Sequence, residues 1–141
     1  MYIFYRISFL FYYIGSFLNM KLTDEQINSI NEEYSQWKSK MYANNSLTHR
    51  KDFGQFFTPP SLSIKMLEKF DNTDGTILDP CCGAGNLLAA AIKAGFNPSN
   101  VYGIEIDPEI LEIAKSRLSS LSVPLSNLHL GDALDPNSYN F

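Results

Sequence analysis

Three acidic residues stand where short apolar runs end. Asp79 closes Thr76-Ile77-Leu78, Glu105 closes Val101 to Ile104, and Asp132 follows Leu128-His129-Leu130-Gly131. Carboxylates gathered on one rim repel each other unless a ligand brings hydrogen-bond donors or positive charge. An amine, a ribose diol and an adenine amino group together would do so. The loop Asp79-Pro80-Cys81-Cys82-Gly83-Ala84-Gly85-Asn86 adds two glycines, which let backbone approach a ligand with no side chain in the way. Glu105 follows Gly83 by roughly twenty positions, where a ribose-binding carboxylate belongs in a nucleoside fold.

These residues need elements to hold them. Thr23-Asp24-Glu25-Gln26 has the form of a capping box, and Ile27, Ile30, Tyr34, Trp37 and Met41 follow at spacings of three and four. That predicts a helix with one apolar stripe, packed on the rest of the domain. Pro59-Pro60 bars a helix before it and permits one to start there, with Ile64, Leu67 and Phe70 as its apolar side. Strands are expected over Thr76–Asp79, Val101–Ile106 and Leu128–Leu130, with helices over Leu87–Ala94 and Glu109–Leu118 between them. Pro108 suits the first turn of that last helix, and Asp107 reads as its N-cap. Strands alternating with helices on short connections predict an α/β fold with a parallel sheet and right-handed crossovers. Ligands of such sheets bind beyond the carboxyl ends of the strands, which is where the three acids fall.

The chain has 141 residues, 45% hydrophobic, which is enough for one domain with a core of its own. Its net charge of -4 lacks the basic footprint of a protein that grips DNA by neutralising phosphates, so any such grip is local or lies elsewhere. Cys81 and Cys82 are adjacent, a poor geometry for a mutual disulfide, and read as free thiols of a reducing, cytoplasmic compartment. His49 and His129 follow no ligand spacing, so no metal is expected. Residues 1–19 are apolar and aromatic with one charge, Arg6. The run from Ile7 to Leu18 is short for a membrane span and has no clear cleavage site. A start at Met20 is the favoured reading of this segment, a membrane-associated tail the other.

A dinucleotide loop would carry a third glycine where Leu88 stands, and a carboxylate beside a pyrophosphate would be unfavourable. A carboxylate beside an ammonium is favourable. The residues therefore point to an adenosyl amino acid rather than NAD. From about Phe53 to Ala133 the sequence resembles the N6-adenine-specific DNA methyltransferases, of the type that includes the modification subunits of restriction systems. Four motifs carry the resemblance in the family's order. They are Gly54-Gln55-Phe56-Phe57-Thr58-Pro59-Pro60, Asp79-Pro80-Cys81-Cys82-Gly83-Ala84-Gly85, Gly103-Ile104-Glu105-Ile106-Asp107-Pro108 and Gly131-Asp132-Ala133.

The resemblance implies S-adenosyl-L-methionine as cofactor, held in a Rossmann-like methyltransferase sheet that is truncated after about three strands and preceded by a helical extension. It implies that Thr58 and nearby backbone meet the methionine carboxylate and that Asp79, followed by Pro80, serves the methionine amine. Gly83 and Gly85 would let the cofactor close in, Glu105 would accept from the ribose hydroxyls, and Ile106 would pack on the adenine. Asp132, beside Ala133, would accept from the adenine amino group, although an Asp that caps its own turn is a rival reading. The family's catalytic Asn-Pro-Pro-aromatic tetrapeptide does not occur here, and Asp135-Pro136-Asn137 is not a substitute for it. No catalytic residue is therefore assigned, and the expectation is an N-terminal fragment of a longer frame. Its organisation reads as residues 1–19, a helix and linker over 20–52, and an incomplete cofactor-binding domain over 53–141. DNA and restriction-modification subunits are the implied partners. A cofactor-binding module without catalysis, and a methyltransferase acting on protein or RNA, are the other readings.

Overall fold

The computed structural model describes residues 20–43 and 57–140. The apolar segment 1–19, the polar linker of 44–50 and the Gly54–Phe56 part of the first motif lie outside the described residues.

Helix α1 (Asp24–Ala43) starts at the expected capping box. The Thr23 amide donates to Gln26 Oε1 at 2.9 Å, and the Gln26 amide donates to Thr23 Oγ1 at 3.2 Å. Two orphan donors of the first turn are thereby satisfied. The stripe faces inward as the spacing requires, with Ile30, Trp37 and Met41 buried and Ile27 and Tyr34 partly so. Gln26 also donates through Nε2 to the Ala94 carbonyl at 2.7 Å, which ties the start of α1 to the end of a later helix.

Helix α2 (Pro60–Leu67) begins at the second proline, after Pro59 in extended conformation. It ends before Phe70, whose ring instead meets Phe96 edge-on at 5.5 Å. Strand β1 (Ile77–Asp79) leads through the glycine loop into α3 (Asn86–Lys93). Strand β2 (Val101–Glu105) leads into α4 (Pro108–Ser119), and β3 (Leu128–Leu130) follows. Ile106, expected inside the second strand, lies one residue beyond β2. Its side chain is 66% exposed at the rim, where no neighbouring strand covers it.

The three strands form one open parallel sheet in the order β1-β2-β3. Both crossovers step the same way, so right-handed connections lay α3 and α4 on one face. Leu67, Leu88 and Leu118 are fully buried in the core on the helical side of the sheet, each worth about 1.5–3 kcal/mol of burial. Helices α1 and α2 both pack on α3. This architecture is a Rossmann-like sheet of three strands with an N-terminal helix. No described helix is long and apolar enough to cross a membrane.

Candidate functional site

Register fixes where the acids fall. Asp79 pairs with Gly103 across β1 and β2, and Glu105 pairs with Leu130 across β2 and β3. The strand ends thus form a stepped rim, with Asp132 two residues past Leu130. The Gly131 amide donates to the Glu105 carbonyl at 3.0 Å and carries the ladder to that step.

The glycine loop is clamped onto the rim. The Cys82 amide donates to the Ile104 carbonyl at 2.9 Å, and the Gly83 amide donates to Glu105 Oε2 at 2.9 Å. The other oxygen of that carboxylate, Oε1, accepts from the Asp107 amide at 2.9 Å. Glu105 is 9% exposed. A buried carboxylate is tolerated there because two backbone N–H groups stand in for water. Gly83 adopts φ +53°, a conformation that L side chains rarely take. The place of its absent Cβ is in van der Waals contact with the Phe57 ring, at 3.9 Å.

Gly85 differs from Gly83. It is buried at φ +79°, and a Cβ there would lie 2.8 Å from Leu118 Cδ1 of α4. The missing side chain of Gly85 faces a helix, whereas Gly83 borders the rim. Gly103 is similarly tight, since a Cβ on it would lie 2.9 Å from Cys82 Sγ and 3.0 Å from Leu88 Cδ1.

Burial pushes the Asp79 carboxyl up to about 6, and the Glu105 charge adds to the rise. The Cys81 amide, donating to Asp79 Oδ1 at 3.1 Å, opposes it. The Cys81 thiol is held above its usual range by desolvation first, then by the charges of Asp79, Glu105 and Asp132. All three acids therefore act on one point of the loop. Burial raises the Cys82 thiol much further. Neither cysteine is in a disulfide.

The remaining residues singled out from the sequence border this rim less tightly. Asp132 is exposed, and its Oδ1 accepts from the Leu134 amide at 2.8 Å, an Asx turn of the kind weighed against a ligand role. Ala133 is partly buried, and its carbonyl accepts from the Tyr139 hydroxyl at 2.8 Å. Pro80 is partly buried beside Asp79. Thr58 is partly buried on the approach to α2, and its carbonyl accepts from Asn86 Nδ2 at 2.9 Å. Asp107 is the N-cap of α4, its Oδ1 accepting from the Glu109 and Ile110 amides at 2.9 and 3.2 Å. Among the described residues no group of three or more His, Cys, Asp or Glu could hold a metal ion.

Sequence reasoning missed Arg117. It is buried in α4, where Nε and Nη2 donate to the two oxygens of Glu33 on α1 at 2.8 and 2.6 Å. Its Nη1 donates to the Ala84 carbonyl at 3.2 Å and to Asn86 Oδ1. The only local signal is an arginine falling three residues after Ala114, on the inward side of the α4 pattern.

An open parallel sheet, an acidic rim at its strand ends and a glycine loop clamped to that rim make a Rossmann-like fold of the nucleoside-binding kind. The chain belongs to the N-6 DNA methylase family, whose pattern it matches over residues 36–135. It is 37% identical over 118 residues to the Type II methyltransferase M.VspI of Vibrio sp. (strain 343), covering 79% of this chain and 29% of that one. It is 31% identical over 71 residues to the Type I restriction enzyme MjaIX methylase subunit of Methanocaldococcus jannaschii, covering 46% of this chain and 13% of that one. A shorter likeness, 42% over 55 residues, joins it to the ribosomal protein L11 methyltransferase of Aliivibrio salmonicida, covering 39% of this chain and 18% of that one. The chain thus spans less than a third of the length of each of these relatives. No solved structure matches it.

Proposed function

We propose that the rim of β1, β2 and β3 binds S-adenosyl-L-methionine, and that these residues are the cofactor-binding part of a site-specific DNA adenine-N6 methyltransferase of restriction-modification type. The observation that supports this best is the bond from the Gly83 amide to Glu105 Oε2, which brings the glycine loop and a buried carboxylate to one point at the strand ends.

The residues present suit such a ligand. Asp79 is a desolvated carboxyl with a raised pKa, and a ligand ammonium beside it would favour its charged form. Each oxygen of Glu105 accepts one N–H and keeps lone-pair capacity for a ribose hydroxyl. Ile106 presents an uncovered apolar side chain on which an adenine ring can lie. Asp132 has a second carboxylate oxygen for the adenine amino group, next to the backbone of Ala133. Thr58 and the backbone around it are assigned to the methionine carboxylate, with Pro80 shaping the loop after Asp79. Gly83 gives close approach, and Gly85 is assigned to packing of the loop on α4. When bound, the cofactor supplies a sulfonium methyl for displacement by an amine lone pair. The residues of this chain hold and orient it.

The tetrapeptide that holds the target adenine in this family is not among these residues, so this chain alone binds cofactor and leaves DNA unmethylated. Contacts to DNA and to restriction-modification subunits belong to the whole protein. Residues 20–52 are proposed as its N-terminal helix and linker, residues 53–141 as the cofactor domain, and the cytoplasm as its compartment. Action on a protein, suggested by the L11 enzymes, rests on likenesses of 42% identity over 39% of the chain or 29% over 70%, against 37% over 79% for the Vibrio enzyme.

Titrating S-adenosylmethionine into the chain by calorimetry tests the reading. One site per chain, weakened in Asp79→Asn and in Glu105→Ala, is the expected result. No binding by a folded chain overturns it, and methyl transfer to protein rather than DNA by a longer form overturns the substrate.

A further inference from the structure

Around Arg117 of α4, helix α1 and the junction of the glycine loop with α3 meet at one guanidinium. Its side chain is 4% exposed. One edge makes a two-point bond with Glu33 of α1. From the opposite corner Nη1 reaches the Ala84 carbonyl inside the glycine loop and Oδ1 of Asn86, the first residue of α3. Asn86 is itself buried and turns its other amide atom outward, Nδ2 donating to the Thr58 carbonyl at 2.9 Å. One face of the guanidinium lies 4.2 Å from the centre of the Trp37 ring. Trp37 meets Phe57 edge-on at 5.2 Å, and Phe57 is the residue nearest the place of the absent Cβ of Gly83.

We propose that Arg117 is the positioning residue of the cofactor site, setting the glycine loop and the Thr58 segment in register through Asn86 and braced from behind by Glu33 and Trp37 of α1. The inference rests on the cofactor reading above and goes beyond it. It makes α1 part of the binding apparatus. The geometry calls for arginine. Four donated bonds leave the guanidinium in two directions within one plane while its face stacks on an indole, and a lysine ammonium offers neither the fork nor the flat face. The two ends of the chain of bonds are the places where the cofactor is expected: Ala84 lies between Gly83 and Gly85, and Thr58 lies across from them. A shift of Asn86 would move both together. A small misplacement of binding groups costs affinity even when every group remains present.

The test separates positioning from mere packing by reading S-adenosylmethionine affinity per folded molecule. Folding is followed by circular dichroism, and the setting of Trp37, the single tryptophan, by its fluorescence. Asn86→Asp keeps an acceptor for Arg117 but loses the donor to Thr58. It is expected to keep the wild-type fluorescence while binding S-adenosylmethionine about tenfold more weakly. Arg117→Lys is expected to red-shift Trp37 emission and to weaken binding at least as much, and Glu33→Gln to fall between. Wild-type affinity in folded Asn86→Asp overturns the proposal, whatever Arg117→Lys does to stability. If the wild-type chain itself does not bind S-adenosylmethionine, the cofactor reading fails first. If wild type binds and the variants bind equally well, the cofactor reading stands and Arg117 is a packing residue.

Discussion

Asp79 gives up its proton less readily in the fold than in a free chain, and a ligand ammonium beside it would oppose that rise. Its ordinary value of 3.8 rises to about 6 in the fold, so between those limits the folded chain binds a proton that the unfolded chain has released. The contribution of Asp79 to stability is therefore greatest at low pH and declines as pH rises from 3.8 through about 6. Cofactor affinity should run the other way, because only the ionised carboxylate attracts the ammonium. Between pH 5 and pH 7 it is expected to rise about tenfold and then level off, and Asp79→Asn should bind weakly with a flat profile. Calorimetry across that range checks both; a slope surviving in Asp79→Asn would place the titrating group elsewhere. For Glu105→Ala the expected loss of binding is about 1–3 kcal/mol, since buried hydroxyls of the ligand lose their acceptor and the Gly83 amide loses its partner. Unchanged affinity in a folded variant removes Glu105 from the site. The positions of both acids were legible because each closes a run of apolar residues. The bonds that Glu105 makes to its own loop were not, since nothing in a carboxylate's spacing says which amides will turn toward it.

Among the elements, those with local signals matched their expectations most closely. The capping box at Thr23 and Gln26, the N-cap at Asp107 and the start of α2 at Pro60 each use chemistry contained within a few residues. Strand β3 fell on Leu128–Leu130 as read, while β2 stopped one residue short at Glu105. The glycines show the limit of such reading. Gly83 and Gly85 share a motif, a positive φ and a spacing, yet one borders the rim and the other packs on Leu118. Which is which depends on α4, whose approach no pattern around residue 85 encodes. Gly85→Ala is accordingly expected to cost about 1–3 kcal/mol of stability, because the methyl must displace Leu118 or the loop. Denaturant unfolding measures this, and a loss under about 0.5 kcal/mol, the size of an ordinary surface change, would mean that Leu118 yields freely.

Taken as a whole, the molecule joins its distant parts through charge as well as through apolar packing. Glu33 and Arg117 stand 84 positions apart, and neither helix announces a partner for the other. That pair escaped the sequence because a buried ion pair is a property of the assembled layers. The same assembly makes a global prediction. A ligand that binds only the folded chain stabilises it by mass action, so S-adenosylmethionine at a hundred times its dissociation constant should add about 2.7 kcal/mol. A thermal or urea transition shows the shift, and a transition that stays put at saturating cofactor would mean that the unfolded chain binds equally well or that the site does not exist.

Cys81 is exposed at the edge of the proposed site, a position where a reactive thiol would be vulnerable to oxidation or alkylation. Only the thiolate attacks such reagents, and desolvation first, then the charges of the nearby acids, favours the protonated form of this sulfur. The rim that would welcome a cationic ligand therefore also passivates its own cysteine. Part of that protection comes from the rim's negative charge, so a bound sulfonium that neutralised it would leave desolvation and the ligand's own bulk as the remaining defence.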